Sequence, residues 1–126
     1  MKIFCFILFV PIVFALGSCN QTNQEKMLRH VVFFGFDDSL SASQVEEIEK
    51  AFALLPSRID VVKDFEWGTD CSPEGLQKGH THCFFLTFSS EKDRDAYLIH
   101  PAHQEFGKLI NGKLKAVTVI DYWANK

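Results

Sequence analysis

Apolar residues recur along this chain at two spacings, one of about two residues and one of about 3.6, and the change between them marks the elements. "LRHVVFFGF" (28–36) is β-branched and aromatic, and apolar on both alternating faces, which predicts a strand buried on both sides. "SASQVEEIEKAFALL" follows, with Val45, Ile48, Phe52 and Leu55 at helical spacing, Ser41 or Ser43 as candidate N-cap, acidic residues in its early turns and Pro56 as its stop. "DVVKDFEWGTD" (60–70) and "HTHCFFLTF" (80–88) read as strands around a loop rich in Gly, Ser and Pro. "EKDRDAYLI" (91–99) reads as a polar helix. "HPAHQEFGKLI" (100–110) continues as a second, with Pro101 where a first turn tolerates it and Asn111-Gly112 as its end. "KLKAVTVIDYW" (113–123) supplies the last strand.

Strand, helix, strand, strand, helix pair, strand is the order of an α+β, four-stranded antiparallel sheet with helices on one face. Counting alternate positions puts Val31, Phe33, Phe85, Val117, Val119 and Trp123 on an odd-numbered face. It puts Val32, Phe34, Phe36, Phe84, Leu86, Phe88 and Ile120 on the even one. One helix layer covers only one of these, so the other face calls for a second copy of the chain, and a homodimer packed sheet to sheet is expected.

The N-terminus belongs to a different class. "MKIFCFILFVPIVFALGS" (1–18) has one Lys, an apolar run and small residues before Cys19, the layout of a secretory signal. Leu16-Gly17-Ser18-Cys19 is similar to a bacterial lipobox, which makes Cys19 the expected lipidation site. Residues 19–27 then form a polar tether, and residues 28–126 one domain. A cell-envelope lipoprotein is expected, on the outer membrane facing the periplasm because Asn20 replaces the acidic residue linked to inner-membrane retention. The only membrane contact expected is that lipid. A formal charge of -3 with mixed signs gives no basic stripe, so no nucleic-acid partner is expected. Cys71 and Cys83 remain in the domain. At roughly 3.3 Å per strand residue they are placed too far apart for a disulfide.

Taken in order, "LRHVVFFGF", "EWGTD", "GHTH", "AYLIHPAH" and "VIDYW" resemble the stress-responsive dimeric α/β-barrel (Dabb) domain family across residues 28–123. The resemblance implies two ferredoxin-like subunits sharing a barrel, with a pocket between sheet and helices for a small hydrophobic ligand. It also implies chemistry without a cofactor: a plant cyclase of the family closes a linear polyketide by an aldol-type condensation. Its motif histidines correspond to His30, His82 and His103, its helix tyrosine to Tyr97 and its pocket "FG" to Phe106 and Gly107. Phe52 stands where that enzyme has a tyrosine, and His80 also replaces a tyrosine. His30, His82, Phe52, Phe106 and Gly107, with Val32, Phe34 and Phe84 from the sheet and Ile48 from the first helix, make up the expected ligand-binding set, while Tyr97 and His103 are the expected catalytic pair.

Proton abstraction beside a carbonyl needs a base titrating near neutrality, and histidine is that side chain. An enolate needs a hydrogen-bond donor, which a tyrosine hydroxyl supplies. On one straight helix, residues six apart point about 120° away from each other. Tyr97 and His103 therefore meet only if the chain bends at His100-Pro101, where His100 reads as a cap. His80 and His82 share a strand face, but His30 and His82 fall toward opposite ends of the sheet, so no metal site is expected. Three functions follow: binding of a small hydrophobic compound, a cyclase- or lyase-type reaction, or a dimerisation scaffold.

Overall fold

The computed structural model of the chain describes residues 26–125. The expected signal segment, Cys19 and nearly all of the tether lie outside the described residues. Among those described, no helix is long and apolar enough to cross a membrane.

The elements are β1 (Leu28–Phe36), α1 (Ala42–Ala53), α2 (Leu55–Arg58), β2 (Asp64–Thr69), β3 (His82–Phe88), α3 (Glu91–Ile99), α4 (Pro101–Ile110) and β4 (Leu114–Trp123). The strands form one sheet in the order β2-β3-β1-β4, each neighbour antiparallel. This is the predicted α+β, ferredoxin-like arrangement. β1 and β3 are the two inner strands, and β1 carries apolar side chains on both faces along most of its length.

Ser41 is the cap of α1. Its hydroxyl accepts from the Gln44 amide at 3.3 Å while the Gln44 side-chain oxygen accepts from the Ser41 amide at 2.9 Å, so two otherwise orphaned donors are satisfied. The helix ends at Ala53, before the predicted stop. Pro56 sits in the first turn of the short α2, where its missing N–H costs nothing. β2 begins at Asp64, later than predicted, because a turn from Ile59 to Val62 (3.2 Å) occupies the preceding residues. His80 and Thr81 precede β3 and belong to the loop.

The face assignment holds for β1 and β3 but is reversed for β4. Val32 pairs with both Phe84 and Val119, and Val31 with both Phe85 and Ile120. Directly opposed residues share a face. Val117, Val119 and Trp123 therefore lie on the helix side, while Ile120 joins Val31, Phe33 and Phe85 on the open side. The pairing of β1 with β4 couples even numbers to odd ones, and periodicity within one strand carries no information about register with another.

Helices α1, α2, α3 and α4 cover the helix-side face over β1 and β3, while Val117 and Val119 of the edge strand β4 stay 57% and 52% exposed on that side. Leu28, Val32, Phe34, Phe36, Phe84, Leu86 and Phe88 from the sheet meet Ile48, Phe52, Leu55, Ile59, Tyr97, Ala102 and Phe106 in one buried core. On the open face Ile120 and Tyr122 remain 50% and 45% exposed, an apolar surface no element of the chain covers.

Candidate functional site

The α3–α4 junction determines where the polar side chains go. Ser90 caps α3, accepting from the Asp93 amide at 3.1 Å. A residue before proline is driven out of the helical region, and His100 obeys with φ -63° and ψ 139°, ending α3. The same residue opens α4: its Nδ1 accepts from the Ala102 amide at 3.1 Å, and Pro101 occupies the first turn. His100 is thus a cap, as predicted.

The bend folds α4 back on α3 and brings His103 onto Tyr97, with ring centroids 4.6 Å apart and planes at 57°. Terminating α3 also frees the Leu98 carbonyl, which receives His103 Nδ1 at 3.0 Å and Gln104 Nε2 at 2.8 Å. A carbonyl only accepts, so the Nδ1 carries the proton and the Nε2 keeps its lone pair. Burial lowers the His103 pKa from its usual value. The Leu98 bond works in the other direction, and the nearby His30 lowers it further. The ring is therefore a neutral base at physiological pH. Tyr97 is fully buried, and burial pushes its phenol well above the usual range, so it remains an O–H donor.

His30 stands behind this pair on β1, its ring 5.9 Å from Tyr97. Its Nδ1 donates to Asp121 Oδ1 at 2.6 Å, from the residue directly opposite on β4. Asp121 Oδ2 accepts from Arg94 on α3, which also donates to Asp95 at 2.7 Å. Buried His30 thus passes through a part-exposed carboxylate to a guanidinium near the surface. A buried donor with a charged, hydrogen-bonded partner has a fixed tautomer and orientation.

His82 occupies the other end. It pairs with Phe34 whereas His30 pairs with Leu86, four positions along β1 or roughly 13 Å. Its Nε2 lies 2.8 Å from Glu49 Oε1 on α1 and its Nδ1 2.8 Å from Thr81 Oγ1, with Phe36 and Trp67 around the ring. His30 and His82 are too far apart to ligate one metal ion. Among the described residues, no three His, Cys, Asp or Glu side chains gather in an arrangement that could hold a metal ion. Cys71 and Cys83 are both free.

The apolar members of the expected set are core side chains in mutual contact. Phe52 stacks on Phe84 at 4.0 Å and meets Phe106 at 5.0 Å and Phe34 at 5.9 Å; Val32 and Ile48 are buried in the same cluster. Gly107 sits on the exposed side of α4, where an added Cβ would meet nothing within 4 Å, so it does not line this space. Asp121, Arg94 and Glu49 are the polar residues that sequence reasoning missed. For Asp121 a signal was present: a lone carboxylate inside the apolar run "VTVIDYW" must find a partner if its strand packs.

Residues 28–124 match the family model described as Stress responsive A/B Barrel Domain. The chain is 42% identical over 95 residues to the stress-response A/B barrel domain-containing protein HS1 of Arabidopsis thaliana, covering 75% of this chain and 87% of that one. It is 31% identical over 99 residues to olivetolic acid cyclase of Cannabis sativa, covering 79% and 98%. The solved structure of the hydroxynitrile lyase of Passiflora edulis superposes with a TM-score of 0.76 at 29% identity, covering 81% and 96%. Other solved chains at 22–23% identity, described as dimeric ferredoxin-like proteins of unknown function, share the fold.

Proposed function

Because the chain belongs to the stress responsive A/B barrel domain family, we propose that its Tyr97–His103 pair is a cofactor-independent acid–base site acting on a small carbonyl compound. The observation that carries this reading is the His103 ring held by Leu98 with its Nε2 lone pair free, 4.6 Å from a phenol kept protonated by burial. In the reaction, Nε2 takes a proton from the carbon beside the carbonyl. The electron pair left behind becomes an enolate, whose oxygen accepts a hydrogen bond from the Tyr97 hydroxyl. The Asp121–His30 pair fixes the polar wall behind Tyr97.

Two similar proteins are named a cyclase and a lyase, which accords with chemistry at a carbonyl carbon. The packed phenylalanines restrict the compound to a small one held near the part-buried His103 ring. Binding of a small hydrophobic compound without turnover is the second reading, favoured by the Phe88 and His30 rings packed on Tyr97.

The assembly we propose is a homodimer joined through the open sheet face, supported by exposed Ile120 and Tyr122 and by the dimeric proteins of the same fold. Lipidation at Cys19 and an envelope location rest on the lipobox-like "LGSC".

The test is exchange of α-protons in D2O, followed by proton NMR across a panel of small ketones. Wild type should accelerate exchange over buffer, and His103→Gln should abolish the acceleration with little change in melting temperature. Equal rates for wild type and His103→Gln refute the assignment.

A further inference from the structure

We propose that Arg94 is a positioning residue of the acid–base site: acting through Asp121 and His30, it sets how strongly His103 binds a proton. Its consequence for turnover rests on the Tyr97–His103 reading above, whereas the coupling itself rests on geometry.

Two elements bring the groups together. Asp121 and His30 are direct partners across the β4–β1 ladder, so their side chains leave the sheet on the same, helix-covered face. Arg94 stands one turn before Tyr97 on α3, and residues three apart on a helix share a face. The guanidinium therefore reaches Asp121 Oδ2 while His30 Nδ1 holds Oδ1 at 2.6 Å, and both carboxylate oxygens are engaged. Arg94 Nε donates to Asp95 Oδ1 at 2.7 Å, which fixes the plane of the guanidinium.

Charge decides what this arrangement does. Alone, the Asp121 carboxylate would face the buried His30 ring with a full negative charge and favour a proton on it. Paired with Arg94, the two groups sum to zero. A proton on His30 would in turn disfavour one on His103, because both rings pack on Tyr97, at 5.9 and 4.6 Å. Arg94 thus withholds a charge from His30 and preserves His103 as a base.

The groups that face this pair of rings are Asp121 from β4, Arg94 from α3 with Asp95 beyond it, and the un-ionised Tyr97 phenol between the rings. On α4 itself, Glu105 is held by Arg58 and His100 by the Ala102 amide. An ion pair with a purely structural role would do none of this, and its loss would be read in stability alone.

The experiment follows the full chain by long-range proton–nitrogen NMR of His103 and by α-proton exchange of a small ketone in D2O, both across pH. Arg94→Met keeps the length of the side chain and removes its charge. It should lower the His103 midpoint by about one pH unit, as expected for charges about 10 Å apart at an effective dielectric of about 20. The acid limb of the exchange profile should move down with it. Arg94→Lys should restore both, and so should Arg94→Met combined with Asp121→Asn, which again leaves no net charge facing His30. A lower urea midpoint in Arg94→Met with the His103 midpoint and the acid limb unmoved overturns the proposal. So does a His103 midpoint that neither Arg94→Lys nor the double change restores. If wild type fails to accelerate exchange while the His103 midpoint moves as stated, the acid–base reading falls and the coupling stands. If wild type accelerates exchange and Arg94→Met leaves the midpoint in place, the coupling falls alone.

Discussion

Truncating Phe52 to Ala asks whether the space between helices and sheet is filled with side chains or hollow. Phe52 is 2% exposed, and its ring meets four others: Phe84 at 4.0 Å, Phe106 at 5.0 Å, and Phe34 and Phe65 at 5.9 Å. Removing a fully packed phenyl ring costs about 3–5 kcal/mol, from lost transfer energy and from the cavity left behind. Aromatic pairs add about 0.5–1.5 kcal/mol beyond area burial, which places this site toward the upper end. For a domain with a stability of about 5–15 kcal/mol, that is a large fraction. Urea unfolding followed by tryptophan fluorescence should show a lower midpoint at an unchanged slope. The new cavity should also be dry and apolar, so saturating benzene should recover part of the loss. A cost below about 1.5 kcal/mol, with no recovery by benzene, would mean that the ring already borders an empty pocket; packing would then not limit ligand size.

Three further outcomes follow from the same geometry. His100→Ala removes the acceptor for the Ala102 amide and should cost about 1 kcal/mol in chemical unfolding, while loosening the bend that seats His103 on Tyr97. Gly35→Ala forces the loop off β1 and should cost about 1–3 kcal/mol, with faster hydrogen exchange at the Thr81 amide bonded to Phe34. The folded His103 pKa lies below its unfolded value near 6.5, so its contribution to stability is present above that pH and is lost as pH falls toward the folded midpoint. His103→Gln should remove this segment of the stability–pH curve, and an unaltered curve would contradict the buried placement.

The elements were legible because local chemistry fixes them. The two rhythms of apolar spacing gave every strand and the three longer helices, and Pro101 after His100 gave the bend that joins Tyr97 to His103. What stayed hidden was non-local. The β1–β4 register reverses the expected faces of Val119 and Ile120, and nothing within either strand could reveal it. Asp121 and Arg94 lie 27 residues apart in sequence and meet only once β4 pairs with β1. The phenylalanines at 34, 52, 84 and 106 read equally well as pocket lining or as core. Only their mutual distances separate those readings, and they favour core.

The acid–base proposal depends most directly on which nitrogen of His103 carries the proton. Long-range proton–nitrogen NMR on histidine-labelled protein, recorded from acid to mildly alkaline pH, reads the tautomer and the midpoint together. The account requires the Nδ1–H form, with a midpoint below that of a free histidine, moving up towards it when Leu98 and Tyr97 are released by unfolding. A dominant Nε2–H form, or a midpoint at or above the free value, would contradict it.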